Sequence, residues 1–281
     1  WMTRHLENAL PGHHFMVTFT VPEEIRSFIR SHQKACYSAM FKASSDTLKK
    51  LSQDEEYIGG DQSGFFGVLH TWGRTLQFHP HIHYVVPGGA LSSEDGLWHP
   101  SRIDFYLPVH AMSKIYKAKF RDQMVKEGLY SQIPSDVWNR EWNVNVQAVG
   151  DAERSIRYLS RYVFQTAISD HRIVNVVGNQ VTFRYRKPGS TRDRQMTLDA
   201  MEFIRRFLQH VLPSGFMKVR YYGFLNPNSA VKLEEVRCAI ELCNAFEVQT
   251  PEATVEPLKP LCCPDCGGEL EYRCSVLPFE M

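Results

Sequence analysis

Apolar and polar residues alternate along His14–Thr20 (HFMVTFT), the period of a half-buried strand. Pro22-Glu23-Glu24 then opens a helical stretch, with proline in the first turn and acids behind it. Its apolar positions run through Ile25, Phe28 and Ile29 towards Leu48 and Leu51, and Gly59-Gly60-Asp61 breaks it. Phe65–Trp72 and His81–Val86 read as two strands of a hairpin turning at Gly73-Arg74, and Pro87-Gly88-Gly89 ends the second. Residues 90–108 are loop-rich, Val109–Glu127 is helical, and Asn143–Val149 alternates as a strand. Asp151 is placed to cap a helix reaching about Ala167. Ile173–Val177 and Val181–Arg186 form a hairpin about Gly178-Asn179. Beyond them come an amphipathic helix over Leu198–Leu212, a strand over Met217–Phe224 and a helix over Val231–Phe246. Residues 250–260 are Pro-rich and acidic, as linkers are, and a small cysteine cluster follows.

Hairpins mixed with helices predict an α+β fold, a central antiparallel sheet with helices packed on it and a small cysteine-containing tail. The 281 residues are 43% hydrophobic and 22% charged, which fits an ordinary soluble protein. No apolar run approaches membrane-spanning length and no charged-then-apolar leader opens the chain, so a cytoplasmic protein with no membrane partner is expected. Seven cysteines without a regular framework fit a reducing compartment. The opening Trp1-Met2 is read as the start of a fragment. Net charge is only +1, yet residues 151–220 hold thirteen Lys/Arg against six Asp/Glu. A basic segment of this kind suits a polyanion, although a solvated, ion-paired face would look the same.

The chemistry concentrates at two places. His79-Pro80-His81-Ile82-His83 puts three imidazoles in five residues. On a strand His81 and His83 share one face with Ile82 on the other, and two neutral imidazoles on one face are a ready pair of metal ligands. Alone, a His-x-His is also what a pair of ordinary buried or surface histidines looks like. The second place is the predicted helix from Asp151. Ile156, Leu159 and Val163 make its apolar stripe. Tyr158 and Tyr162, four residues apart, stack together roughly 110° from that stripe, flanked by Arg154, Arg161 and Gln165. Taken without the histidines, such tyrosines are boundary residues with their hydroxyls in water.

HPHIHYVVPGGAL and RYLSRYV resemble the two signature motifs of the IS91-type transposases, members of the HUH endonucleases. The likeness extends over LHTWGRTLQFHPHIHYVVPGGAL and covers most of residues 14–225, with a more distant similarity to Helitron-type rolling-circle proteins. The resemblance implies an HUH-type catalytic domain over residues 1–225. The residues themselves place a C-terminal helix at 226–249 and, over 250–281, a linker with the makings of a partial zinc ribbon. The resemblance further implies a DNA transposase that nicks and rejoins single-stranded DNA at transposon ends through a 5′-phosphotyrosine. His81 and His83 match the metal-binding pair and Tyr158 and Tyr162 the paired nucleophiles. The metal would be Mg²⁺ or Mn²⁺, polarising the scissile phosphate.

Gln165, on the tyrosine side of its helix and with an amide oxygen that suits a hard cation, is taken as the third metal ligand, with His70 on the neighbouring hairpin strand as the alternative. Arg154, Arg161, Arg172, Arg184, Arg186, Lys187, Arg192 and Arg194 are phosphate-binding candidates, with Tyr185 and Phe183 as base-stacking ones. Cys263 and Cys266 form a Cys-x2-Cys knuckle before Gly267-Gly268. Zn²⁺ there would need Cys274 and a fourth ligand from Cys262, Cys238 or Cys243. The family usually carries a cysteine-rich zinc module before its first strand, and this chain is expected to lack it. Three alternatives stand beside the transposase. One is a rolling-circle replication initiator or relaxase with the same chemistry, and another is a non-catalytic DNA-binding remnant. The last is a His-x-His metallohydrolase, disfavoured because Tyr84-Val85 stands where a metallo-β-lactamase-type Asp-His would fall and because the hairpins oppose a barrel.

Overall fold

The computed structural model describes residues 8–151, 153, 167–187 and 189–244, all within one compact unit, Trp1–Val248. Its strands are β1 (His14–Thr20), β2 (Phe65–Trp72), β3 (Phe78–Pro87), β4 (Gly89–Leu91), β5 (Trp98–Pro100), β6 (Val144–Gly150), β7 (Ile173–Val177), β8 (Gln180–Arg186), β9 (Asp193–Asp199) and β10 (Val219–Tyr222). Its described α-helices are α1 (Arg26–Ser31), α2 (Gln33–Ser52), α3 (Val109–Lys126), α4 (Ala200–Leu208) and α5 (Leu233–Asn244). The fold is α+β. A five-stranded antiparallel sheet, ordered β10-β2-β3-β1-β6, carries helices, and β7-β8-β9 form a separate antiparallel sheet. No described helix is long and apolar enough to cross a membrane.

Strand alternation divides the main sheet into two unlike faces. Phe15, Val17 and Phe19 of β1, Leu69 of β2 and Ile82, Tyr84 and Val86 of β3 join the principal core. There they meet Met40, Phe41 and Leu48 of α2 and Tyr116 and Phe120 of α3. Gly67 of β2 leaves the space that the Tyr84 ring fills. The Tyr84 hydroxyl meets Ser44 Oγ at 2.7 Å, so the one polar atom of that buried ring is satisfied. The opposite face carries Met16, Phe66, Val68 and Val85 as a smaller apolar cluster, with histidines at its end.

Several elements differ from the expectation. The long helix from Pro22 is a short 3₁₀ turn (Glu23–Ile25), then α1 and α2, broken at His32 with φ −125° and ψ 43°. There the imidazole Nδ1 pairs with the Phe28 carbonyl at 3.2 Å and the ring lies 4.6 Å from the Phe28 ring, so the side chain holds a local turn. The loop-rich stretch after Gly89 contains the small β4–β5 hairpin. The helix placed at Leu198 begins at Ala200, because Leu198 lies in β9, which pairs with β8 along its whole length. Asp199 then caps α4 by accepting from the Met201 N–H at 2.9 Å. Strand β3 starts at Phe78 and runs through Pro80. His70 faces His81 but Trp72 faces Phe78, so β3 holds one extra residue at His79-Pro80. A bulge is where a strand tolerates a residue without an N–H.

The tip of the β2–β3 hairpin is held from several sides. Leu76 is buried at φ 60°, a conformation that costs a branched side chain roughly 1–2 kcal/mol. It packs with Ala167, Ile168 and Phe183. Arg172 Nη2 donates to the Arg74 carbonyl at 2.8 Å and Arg206 Nη1 to the Thr75 carbonyl at 3.2 Å. The buried His210 ring stands 3.2 Å from the Leu76 carbonyl and 3.3 Å from Thr71 Oγ1.

Candidate metal centre

His81 and His83 project from β3 onto the face opposite the principal core, and the bulge at His79-Pro80 sets His81 directly across from His70 of β2. One ligand nitrogen from each of His70, His81 and His83 lies within 4.8 Å of the other two. The ring centroids are 4.7 Å apart for His81–His83, 4.9 Å for His70–His83 and 5.3 Å for His70–His81. Three imidazole nitrogens this close together are a candidate set for one ion. Among the described residues it is His70, the alternative to Gln165, that stands beside the His81–His83 pair. Gln165, Tyr158, Tyr162, Arg154 and Arg161 lie outside the described residues, as do Cys262, Cys263, Cys266 and Cys274. Cys238 and Cys243 lie exposed on α5.

Two of the rings are oriented from behind. His81 Nδ1 is 2.6 Å from the His79 carbonyl, which can only accept, so Nδ1 carries the proton and the lone pair sits on Nε2. His83 Nδ1 is 2.8 Å from Thr18 Oγ1 on β1, a hydrogen bond that fixes the orientation of the His83 ring. Outer partners of this kind fix ligand rings and are worth 10–100-fold in metal affinity. Thr18→Val is therefore expected to weaken Mn²⁺ binding by roughly that factor while leaving the melting temperature nearly unchanged, as calorimetric titration and thermal unfolding would read. His70 is wedged against Trp72, with ring centroids 4.9 Å apart and planes 17° from parallel.

The site is dry enough to keep its imidazoles uncharged. Burial pushes the His81 pKa down to about 4 and that of His83 to about 3, the neighbouring histidines adding to the shift. On β1, burial lowers His14 to about 4 as well. Neutral imidazole is the metal-binding form, so these ligands need no deprotonation at pH 7. The sign for stability follows from linkage. An unfolded histidine takes its proton near pH 6.5, whereas these three in the native state do so only near pH 3–4. Their contribution is whole above pH 6.5 and is lost as pH falls towards 4. Urea midpoints of the metal-free protein are expected to drop from pH 7 to pH 5. Each such group adds up to about 1.4 kcal/mol per pH unit, and flat midpoints would contradict the burial.

The basic candidates divide. Arg184, Lys187, Arg192 and Arg194 are exposed. Arg186 is paired with Asp193 at 2.9 Å, and its carbonyl accepts from Arg74 at 2.8 Å. Arg172 is half-buried and donates to the carbonyls of Arg184 and Arg74, so its guanidinium ties the small sheet to the hairpin tip. Phe183 is fully buried against Leu76 and is taken up by packing. Tyr185 is half-exposed on β8. The sequence reading gave no structural role to His210 or Arg206, both of which grip the hairpin tip.

A family profile described as "Putative transposase" matches residues 64–232, which includes both hairpin strands, the triad and the tyrosine pair. The putative transposase y4qJ of Sinorhizobium fredii is 34% identical over 278 residues, covering 92% of this chain and 69% of that protein. The chain belongs to the IS91-type transposase family. The transposase for insertion sequence element IS801 of Pseudomonas savastanoi pv. phaseolicola is 26% identical over 306 residues, covering 98% of this chain and 71% of that one. No solved structure matches the chain.

Proposed function

We propose that this IS91-type transposase cleaves and rejoins single-stranded DNA at transposon ends, with Tyr158 and Tyr162 as nucleophiles and His70, His81 and His83 holding a divalent cation. What carries the proposal is the triad: three histidines from adjacent strands converge on the sheet face that lacks the principal core, with the His81 and His83 rings each held by a hydrogen bond at Nδ1. A bound cation would supply Lewis-acid polarisation of the scissile phosphate. Of the two cations expected, three nitrogen donors favour Mn²⁺ over Mg²⁺.

The residues flanking the tyrosine segment support the same reading. Gly150 faces His14 at one end of β1, whereas Ala167 and Ile168 pack with Leu76 at the β2–β3 tip, towards the other end of the sheet. The tyrosine segment joins these two points. Tyr162 stands five positions before Ala167, the anchor on the triad's side.

A tyrosine oxygen attacks phosphorus, the P–O3′ bond breaks, and the 3′-oxygen leaves as a hydroxyl while the 5′-phosphate stays on the tyrosine. The phosphotyrosine conserves the bond energy, so a 3′-hydroxyl can reverse the step, and a second tyrosine lets one site handle two ends in succession. The exposed Arg184, Lys187, Arg192 and Arg194 then serve as phosphate contacts. Incubation with labelled single-stranded oligonucleotides and Mn²⁺ is expected to give a protein–DNA adduct on a denaturing gel. The adduct should be absent with EDTA and with duplex DNA. Cleavage without an adduct, or an adduct indifferent to EDTA, would overturn the reading.

A further inference from the structure

Arg26 opens α1 at the end of the sheet where the triad lies. Thr20, the last residue of β1, stands across from His81. The chain then turns through Val21, Pro22 and the 3₁₀ turn to reach Arg26, and α1 packs against β3. The histidines there sense its charge. Burial is the larger cause of the low pKa of His79 and of His81, and the nearby Arg26 guanidinium lowers both further. His79 belongs to the bulge, and its ring lies 5.0 Å from that of His81. Arg26 thus stands on the bulge side of the triad, beside the residues that begin β3.

The side chain is packed at its base and weakly matched at its head. Its Nε is buried and has no hydrogen-bond partner, whereas 22% of the side chain stays exposed. Its one ion-pair partner among the described residues is Glu23, 3.9 Å from Nη1 and itself 84% exposed, a loose surface pair worth little. An arginine held at its base, with no firm carboxylate at its head, is suited to bind an anion. The triad is uncharged, so its ligands do not cancel the charge that Arg26 brings. Arg30, one helical turn further on α1, is exposed and makes a useful contrast.

We infer that Arg26 holds the scissile phosphate against the triad, its terminal guanidinium nitrogens donating to a non-bridging oxygen. The inference rests on the strand-cleavage reading above and gives that reaction a residue from outside both the hairpin and the tyrosine segment. A guanidinium there offsets the negative charge of a phosphate that an attacking oxygen must approach.

The probe is a labelled single-stranded oligonucleotide that the wild-type protein cleaves. Its scissile linkage is mapped from the released fragment and then replaced by a methylphosphonate, which carries no charge. Binding of the two strands is read in EDTA, so the readout does not depend on metal-driven cleavage. Arg26→Ala is expected to weaken binding of the all-phosphate strand roughly 10- to 150-fold, the worth of a hydrogen bond between charged partners. It should flatten the log–log salt dependence by about 0.7, the share of one single-strand phosphate. It should also bind the two strands equally, whereas the wild-type protein and Arg30→Ala prefer the all-phosphate strand. Mn²⁺ uptake by Arg26→Ala should be retained, which shows that the fold and the triad survive. A wild-type protein indifferent to the methylphosphonate, or an Arg26→Ala protein that still shows the full wild-type preference, would overturn the inference and leave the strand-cleavage reading standing. If Arg26→Ala loses Mn²⁺ uptake, Arg26→Gln, which keeps most of the stem, carries the same comparison. A wild-type protein that cleaves no single strand would overturn both.

Discussion

Changing both Tyr158 and Tyr162 to Phe is expected to reduce covalent capture of single-stranded DNA by roughly 10³-fold or more, the scale seen when a nucleophile is removed outright. The substitution deletes only the attacking oxygen and keeps the ring. Mn²⁺ binding, melting temperature and oligonucleotide affinity should therefore stay close to wild type, and the loss should fall on the chemical step. The single variants separate the roles. If the tyrosines act in succession, each single variant should still capture one end while failing to complete an exchange of two. Adduct formation by the double variant at the wild-type level would remove these residues from the chemistry.

His81→Ala is expected to produce the next largest effect. The side chain contributes one nitrogen of the triad, and its Nδ1 is already engaged by the His79 carbonyl, so Nε2 is the atom left to hold a cation. Loss of an inner ligand should exceed the 10–100-fold cost of losing an outer partner, giving Mn²⁺ binding weaker by roughly 10²-fold or more. Metal-dependent nicking should vanish. The fold should persist, because His81 points away from the principal core that Ile82 and Tyr84 fill. His70→Ala should match His81→Ala in Mn²⁺ affinity, since His70 stands directly across the sheet from it. A His70→Ala protein with wild-type Mn²⁺ affinity would exclude His70 as a ligand.

The sheet was legible where runs of β-type residues stand between turn signals, whether one face is buried or, as in β2, both. β1, β2 and β6 fell within a residue or so of those runs, and Gly178-Asn179 gave away the β7–β8 turn. β9 was hidden because its residues are largely polar and exposed, so pairing with β8 holds it as a strand while its side chains carry little apolar signal. The break at His32 was invisible for a different reason: the apolar period continues across it, and only the local imidazole–carbonyl contact interrupts the backbone.

At the candidate site, the outward pair His81 and His83 follows directly from the period of two. His70 was named only as the alternative to Gln165. Its position opposite His81 depends on a five-residue turn and a one-residue bulge at His79-Pro80, and a shift of one residue in register would have turned it to the other face. Thr18 was not readable at all, since it reaches His83 only through the pairing of β1 with β3. Phe183 was misjudged as a base-stacking residue because its strand is basic and mostly exposed, whereas its own ring closes over Leu76 at the hairpin tip.

The account rests on a cation held by His70, His81 and His83 acting together with a phenol oxygen from the tyrosine pair. Its most direct test is to form the adduct with a single-stranded oligonucleotide and Mn²⁺, digest it, and map the attached nucleotide by mass spectrometry in wild type and in His81→Ala. A nucleotide on Tyr158 or Tyr162 in the wild-type protein, missing from His81→Ala, is the predicted result. A nucleotide attached to any other residue, or carried by Tyr158 or Tyr162 equally in both proteins, would contradict it.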